Sequence, residues 1–402
     1  MELKKPEELG FSSNRLERIN NLMNRYIESG KLAGVVTCLA RRGKIFHWET
    51  NGYQNLETKT PMAPDSIFRI YSMTKPITCV ALMMLYEESL FNLTDPVSQY
   101  IPAFEEVKVW GADGKLDSPI RPMTVQDLLR HTAGLSYGSF GQSDSPVDKL
   151  YDEADIFNQS ITIAEFTNRV AKLPLMFHPG EMWHYSVATD IVGYLVEVLS
   201  GKSLGDFMQE KIFDPLQMVD TAFHIDPSKL SRFCTLYGIT PDSNFGVLDT
   251  PDSSEYLPPV ALHDGGSGLV STTADYLLFA QCLLNKGELN GARLLGPKTV
   301  ELMTFNHLAP ALLPIAFEGA EPMLGMGYGL GVGVMLDTAQ TGLMGSVGDY
   351  SWGGYAETYF WNDPLEDLTA IMMTQYLPSH TYPIRLEFRT AVYQALEQSN
   401  VL

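Results

Sequence analysis

The chain has 402 residues, 45% of them apolar and 19% charged, which is enough to bury one large core or two smaller ones and excludes a disordered or low-complexity polymer. A net charge of −20, with no run of Lys or Arg longer than two, makes nucleic acid and anionic membrane poor partners. Cys38, Cys79, Cys234 and Cys282 lie far apart with no C-x-x-C pair, which argues against a zinc site or a disulfide framework and fits a reducing compartment.

Lys4-Lys5-Pro6-Glu7-Glu8 is followed by no apolar stretch, so the N-terminus does not read as a secretory signal, and no window of 18 uninterrupted apolar residues exists to span a bilayer. A cytoplasmic location is the expectation. Leu16, Ile19, Leu22, Met23, Tyr26 and Ile27 then recur at helical spacing after Ser12-Ser13, and Gly30 stops the run, predicting a first helix. Residues 33–40 and 44–49 are apolar and β-prone, with Arg41-Arg42-Gly43 as the hairpin turn between them.

From residue 72 to about 265 the pattern is mainly helical, with helices predicted at 124–131, 163–172, 186–200 and 204–212 and a polar segment at 136–148. Another helix is predicted at 274–284. Strand signals return at 328–335, 351–361 and 368–374, with Asn362-Asp363-Pro364 as a turn, and Ile384, Phe388, Val392 and Leu396 form one stripe of a closing helix. This order predicts an α+β chain: one antiparallel sheet built from both termini and flanked by helices, with a mainly helical region inserted. It is read as a single domain made of an α/β part, 1–71 plus 265–402, and a helical part, 72–264. The loop 309–325 is apolar and contains Pro, odd for a solvated connection; it reads either as packed on its own domain or as a wall over a pocket.

One S-x-x-K occurs, Ser72-Met73-Thr74-Lys75, where the extended stretch 66–71 meets the apolar run 80–85; Pro76 is tolerable only near a helix start. Ser72 therefore opens a buried helix, and Lys75, one turn on, reaches its hydroxyl. The Ser72 amide, free at the helix N-terminus, suits an oxyanion on an attacked carbonyl. For Lys75 to act as base its pKa must fall below the free value of about 10.4. Trp183-His184-Tyr185-Ser186-Val187 places Tyr185 at a second helix start, where a tyrosine near a lysine can relay protons. In Ser351-Trp352-Gly353-Gly354-Tyr355 two adjacent glycines weaken a strand, which a ligand approaching that edge or a bulge would explain.

With these segments the sequence resembles the serine β-lactamase-related hydrolases of the class C and penicillin-binding-protein type, and within them the family VIII carboxylesterases. Ser72 and Lys75 match the S-x-x-K motif, Tyr185 the first position of Y-x-N, and Trp352-Gly353-Gly354 the place of K-T-G; residues 128–135 and His178-Pro179-Gly180 support the match across nearly the whole chain. The resemblance implies a serine β-lactamase-like fold, acylation of Ser72, and proton transfers shared by Lys75 and Tyr185. It also implies oxyanion donation by the Ser72 and Tyr355 amides, with the choice of base between Lys75 and Tyr185 open. Two departures bear on substrate. Val187 replaces the Asn of Y-x-N, and Trp352 replaces the Lys of K-T-G, removing an amide and a cation that the resemblance assigns to β-lactam recognition.

Other motifs carry less. Gly134-Leu135-Ser136-Tyr137-Gly138 satisfies G-x-S-x-G, but a nucleophile elbow needs a strand before it and a helix after it, and neither is present. Tyr137 is expected to border the pocket. Gly201-Lys202-Ser203 lacks the first glycine of a P-loop, since position 196 is Val, and Gly327, Gly329, Gly331 and Gly333 fit no dinucleotide register. The eight histidines include no H-E-x-x-H and no H-x-H, so neither metal nor cofactor is expected. Asp190 reads first as a surface or capping carboxylate, with orientation of Lys75 as the alternative.

The reading is a serine carboxylesterase acting on short-to-medium-chain acyl esters through a Ser72 acyl-enzyme, with Tyr137, Trp352, Gly353 and Gly354 toward the substrate. The alternatives are a β-lactamase, a D-amino-acid peptidase or amidase using the same Ser-Lys-Tyr site, or an acyltransferase to an alcohol. The partner is a small-molecule ester; the sequence leaves the oligomeric state open.

Overall fold

The computed structural model describes residues 3–139, 145–242, 244–317 and 319–400. The start of the N-terminal run, residues 140–144 of the polar segment after Ser136, and Glu318 of the loop 309–325 lie outside the described residues. Eight antiparallel strands form the main sheet, in the order Met326–Tyr328, Gly333–Met335, Tyr350–Gly353, Tyr359–Asp363, Leu368–Thr374, Gly34–Arg41, Lys44–Asn55 and Thr60–Pro61. The two ends of the chain meet where Gly34–Arg41 pairs with Leu368–Thr374, Val36 opposite Met373. The sheet assembled from both termini is thus present, and the hairpin turn is Arg42-Gly43, both residues at positive φ.

Gly34–Arg41 is buried along its whole length, which explains why it reads as a continuous apolar run. On one face Val35 and Leu39 pack with the stripe Leu16, Ile19 and Met23 of the helix Ser13–Glu28 and with Phe388 and Val392 of Ile384–Tyr393. On the other, Val36, Cys38 and Ala40 join Phe360, Ile371 and the helices Thr74–Glu87 and Thr273–Leu284. Burial pushes the Cys79, Cys234 and Cys282 thiols up to about 12, and all four cysteines are unpaired.

Two predicted strands are each divided. The stretch 328–335 is a tight hairpin, Met326–Tyr328 to Gly333–Met335, turned through Gly331 at φ 95°. The stretch 351–361 is Tyr350–Gly353 and Tyr359–Asp363, parted by a turn in which Glu357 takes φ 67°. The predicted helix 124–131 stops at Leu129, capped at its start by a reciprocal Thr124–Asp127 box, because His131 turns the chain out at φ 56°. Beyond Leu204–Met208 the helix widens into a π turn at Gln209–Phe213. Among the described residues no helix is long and apolar enough to cross a membrane.

Candidate active site

The strand Ile67–Arg69, paired with Val270–Thr272, runs into a 3-10 turn at Tyr71–Met73 and then into the helix Thr74–Glu87. Ser72 therefore stands one turn ahead of the α-helix, a shift from the sequence expectation. Tyr71 takes φ 42°, uncommon for an aromatic residue, so the chain swings sharply at the residue before Ser72. The first hydrogen bond of the turn runs from Met73 N–H to Ile70 O at 3.0 Å, leaving the Ser72 amide ahead of the intrahelical ladder. Lys75 is fully buried, and its Nζ donates to Ser72 Oγ at 3.2 Å and to Gly266 O at 2.8 Å. The faces of Tyr185 and Tyr137 cover it, with Nζ 4.7 Å and 5.3 Å from the ring centroids.

Tyr185 precedes the helix Ala188–Ser200 and is half-buried. Its hydroxyl accepts a hydrogen bond from the indole N–H of Trp352 at 3.4 Å. Around it lie Tyr137, Phe317, Trp352 and His131, with ring centroids 5.3, 5.1, 5.5 and 4.8 Å away. Phe317 comes from the loop 309–325, folded back by an Ile315–Met323 bridge and packed also on Trp183 and Trp352. That loop is a wall of this site. His131 belongs to the segment 128–135 and ends the predicted helix 124–131. It is fully buried, its Nδ1 accepts from Ser186 N–H at 3.3 Å, and burial together with the Lys75 charge holds it well below the ordinary imidazole range.

The turn between Gly353 and Tyr359 is closed by Gly354 N–H to Thr358 O at 2.8 Å and by Glu357 N–H to Gly354 O at 3.1 Å. Both bonds leave out the amide of Tyr355, an exposed residue whose ring meets Tyr71 edge to face at 6.2 Å. The glycine pair has a cause that neither sequence reading contained. A Cβ on Gly354 would lie 2.4 Å from Ile70 O, and one on Gly353 would lie 2.3 Å from the Arg385 guanidinium. Close backbone approach of this turn to the chain just before Ser72 requires Gly354, and the space beside Gly353 is taken by Arg385, which donates to Gly354 O at 2.6 Å. Trp352, buried to 7% exposure, puts its ring against Tyr185, Phe317 and Tyr328.

Ser136 is buried, donates to Asp148 and accepts from Gly138 N–H at 2.9 Å, which makes it part of a loop brace. Asp190 is not on the surface. It is 1% exposed and its Oδ1 accepts from Gly266 N–H at 2.9 Å, so it reaches the peptide strap that Lys75 also grips. Asp264 accepts from the same N–H at 2.7 Å. Neither Asp264 nor Gly266 stood out in the sequence; the run Gly265-Gly266-Ser267-Gly268 was the available signal.

The arrangement brings Ser72, Lys75, Tyr185, Tyr137, Trp352 and the Tyr355 turn into one place from four separate stretches of chain. A family model described as Beta-lactamase matches residues 19–394. Protein Rv1367c of Mycobacterium tuberculosis is 33% identical over 360 residues, covering 87% of this chain and 88% of its own. Esterase EstB of Burkholderia gladioli is 28% identical over 395 residues, 94% of each chain. Among solved structures, EstCE1, described as a hydrolase with promiscuous acyltransferase activity, superposes with a TM-score of 0.81 at 26% identity, over 94% of this chain and 99% of that one.

Proposed function

The chain belongs to the Beta-lactamase family and is a serine hydrolase of that fold, and from that premise we propose that it is a carboxylesterase cleaving short-to-medium-chain acyl esters through an acyl-enzyme on Ser72. One observation carries the choice of ester. The position that would hold a substrate-binding cation carries the buried indole of Trp352, packed among Tyr185, Phe317 and Tyr328. An aromatic wall favours a neutral acyl group and offers nothing to a carboxylate.

In this reading Ser72 Oγ attacks the ester carbonyl while its proton passes to the Lys75–Tyr185 pair, whose amine lies 3.2 Å from the hydroxyl. The developing oxyanion is met by the Ser72 and Tyr355 amides, fixed donors that need no reorganisation during the reaction. Collapse returns the proton to the departing alcohol, and water then repeats the sequence on the acyl-enzyme. The name of EstB supports the ester reading, and the description of EstCE1 favours an alcohol as a second acceptor.

The test is a pre-steady-state assay with p-nitrophenyl butyrate on wild type and Ser72→Ala, with peptide mapping of any adduct. An acyl group that appears on Ser72 and turns over is the expected result. Full activity in Ser72→Ala, an adduct on Ser136, or nitrocefin turnover rivalling ester turnover overturns the reading.

A further inference from the structure

Behind Lys75, two carboxylates converge on one peptide N–H. Asp190, in the first turn of Ala188–Ser200, and Asp264, in the segment before Val270–Thr272, both accept from Gly266 N–H, at 2.9 and 2.7 Å. The carbonyl of the same glycine accepts from Lys75 Nζ. Asp264 is further held by Ser267, through its amide at 2.9 Å and its hydroxyl at 2.5 Å. Asp190 Oδ2 is buried with no hydrogen-bond donor from the described residues, and a Cβ on Gly266 would lie 2.7 Å from it. Among the described residues no ion pair joins either carboxylate to Lys75, whose Nζ is directed to Ser72 Oγ and Gly266 O instead.

Two buried carboxylates converging on one N–H are costly as a pair of anions, because mutual repulsion adds to desolvation. We infer that Asp190 and Asp264 share one proton and that this acid pair is a positioning device for Lys75. It fixes the Gly266 strap that aims the amine at Ser72 while carrying a single negative charge rather than two. Burial, then Asp264, push Asp190 well above the usual carboxylate range, against the pull of Lys75. Other ionisable groups facing the pair are Tyr137, Tyr256 and Glu255, while burial and the Lys75 charge hold His131 well below the ordinary imidazole range. With both members ionised, the pair would instead draw Lys75 Nζ away from Ser72.

The inference rests on Lys75 serving Ser72, and its test has an arm independent of turnover. Difference infrared spectra of wild type and Asp190→Asn at pH 7 should contain the C=O stretch of a protonated carboxyl in wild type only. In ester assays Asp190→Ala should lose about tenfold or more in kcat/KM as the strap loosens. Asp190→Asn, the isosteric neutral mimic, should recover most of that loss, with the ascending limb of its pH–rate profile at the wild-type position. Absence of the carboxyl band, or an Asp190→Asn limb displaced by a pH unit or more, overturns the shared proton and makes Asp190 a charged counter-ion. If wild type and Ser72→Ala hydrolyse esters equally, the esterase reading fails while the infrared band still decides the proton.

Discussion

Trp352 donates its indole N–H to the hydroxyl of Tyr185 across 3.4 Å, so the residue that closes the pocket also holds the phenol oxygen that faces it. A donor there disfavours rotation of the phenol and stabilises negative charge on its oxygen during proton transfer. Trp352→Phe keeps the ring and removes the donor. We expect kcat and kcat/KM to fall together by roughly threefold to tenfold, the value of one hydrogen bond, with KM little changed. Steady-state kinetics on p-nitrophenyl esters decide it; a rise in KM alone would reduce Trp352 to a wall.

Gly354 lets the Tyr355 turn approach the chain just before Ser72, since a Cβ would lie 2.2 Å from Thr358 Oγ1 and 2.4 Å from Ile70 O. Ile70 O belongs to the backbone and cannot swing aside. Gly354→Ala should therefore displace the turn and cost about 100-fold in kcat, with overpacking worth about 1–3 kcal/mol of stability. A variant that loses stability and keeps its kcat would show that the Tyr355 amide takes no part.

Phe317 of the loop 309–325 meets Tyr185 at 5.1 Å and Trp183 at 5.7 Å. Removing it enlarges the acyl side of the site. Phe317→Ala should shift the preferred p-nitrophenyl ester toward longer chains, each added CH₂ recovering up to about 0.8 kcal/mol. An unchanged chain-length profile would place the acyl group elsewhere.

Ser136 should separate from Ser72 by stability rather than rate. Its hydroxyl satisfies the fully buried carboxylate of Asp148. Ser136→Ala removes a buried hydrogen bond to that group, at a cost of about 1–3 kcal/mol, so the denaturation midpoint should fall while kcat/KM stays near wild type. Loss of turnover in a folded Ser136→Ala protein would bring back the nucleophile elbow.

What the sequence shows of this molecule depends on how far apart the partners lie along it. The stripe Leu16 to Tyr26 and the run 33–40 are local, and each appears as the element it predicted. Ser72 and Lys75 are three apart, and their contact follows from helix geometry. Gly266 is 191 residues from Lys75, so its grip on the amine has no local trace. The same holds for Gly354, whose need for a missing Cβ comes from Ile70, and for Asp190, where helical position implied exposure and packing against the Gly266 strap reversed it. His131 was hidden for another reason: the pattern puts it in the helix 124–131, whereas the chain leaves that helix in a left-handed turn at this residue.

Asp127 ties the approach to the site together and sets a pH window for stability. It caps Val125–Leu129 through Thr124, pairs with Arg121 at 2.6 Å and Arg130 at 3.1 Å, and accepts from Thr132 Oγ1 at 2.8 Å, the residue after His131. Burial alone would raise its pKa, but the hydrogen bonds from Arg121, Thr124 and Thr132 outweigh it and hold the carboxyl down to about 2. A folded-state value below the unfolded one, about 3.9, stabilises the fold above pH 4, and that contribution is lost as pH falls through 2. It amounts to about 2–3 kcal/mol at neutral pH. Asp127→Asn should therefore unfold at lower urea than wild type at pH 7, with the gap narrowing between pH 4 and pH 2. A gap that is the same at pH 7 and pH 3 would show that the side chain acts through shape and not through charge.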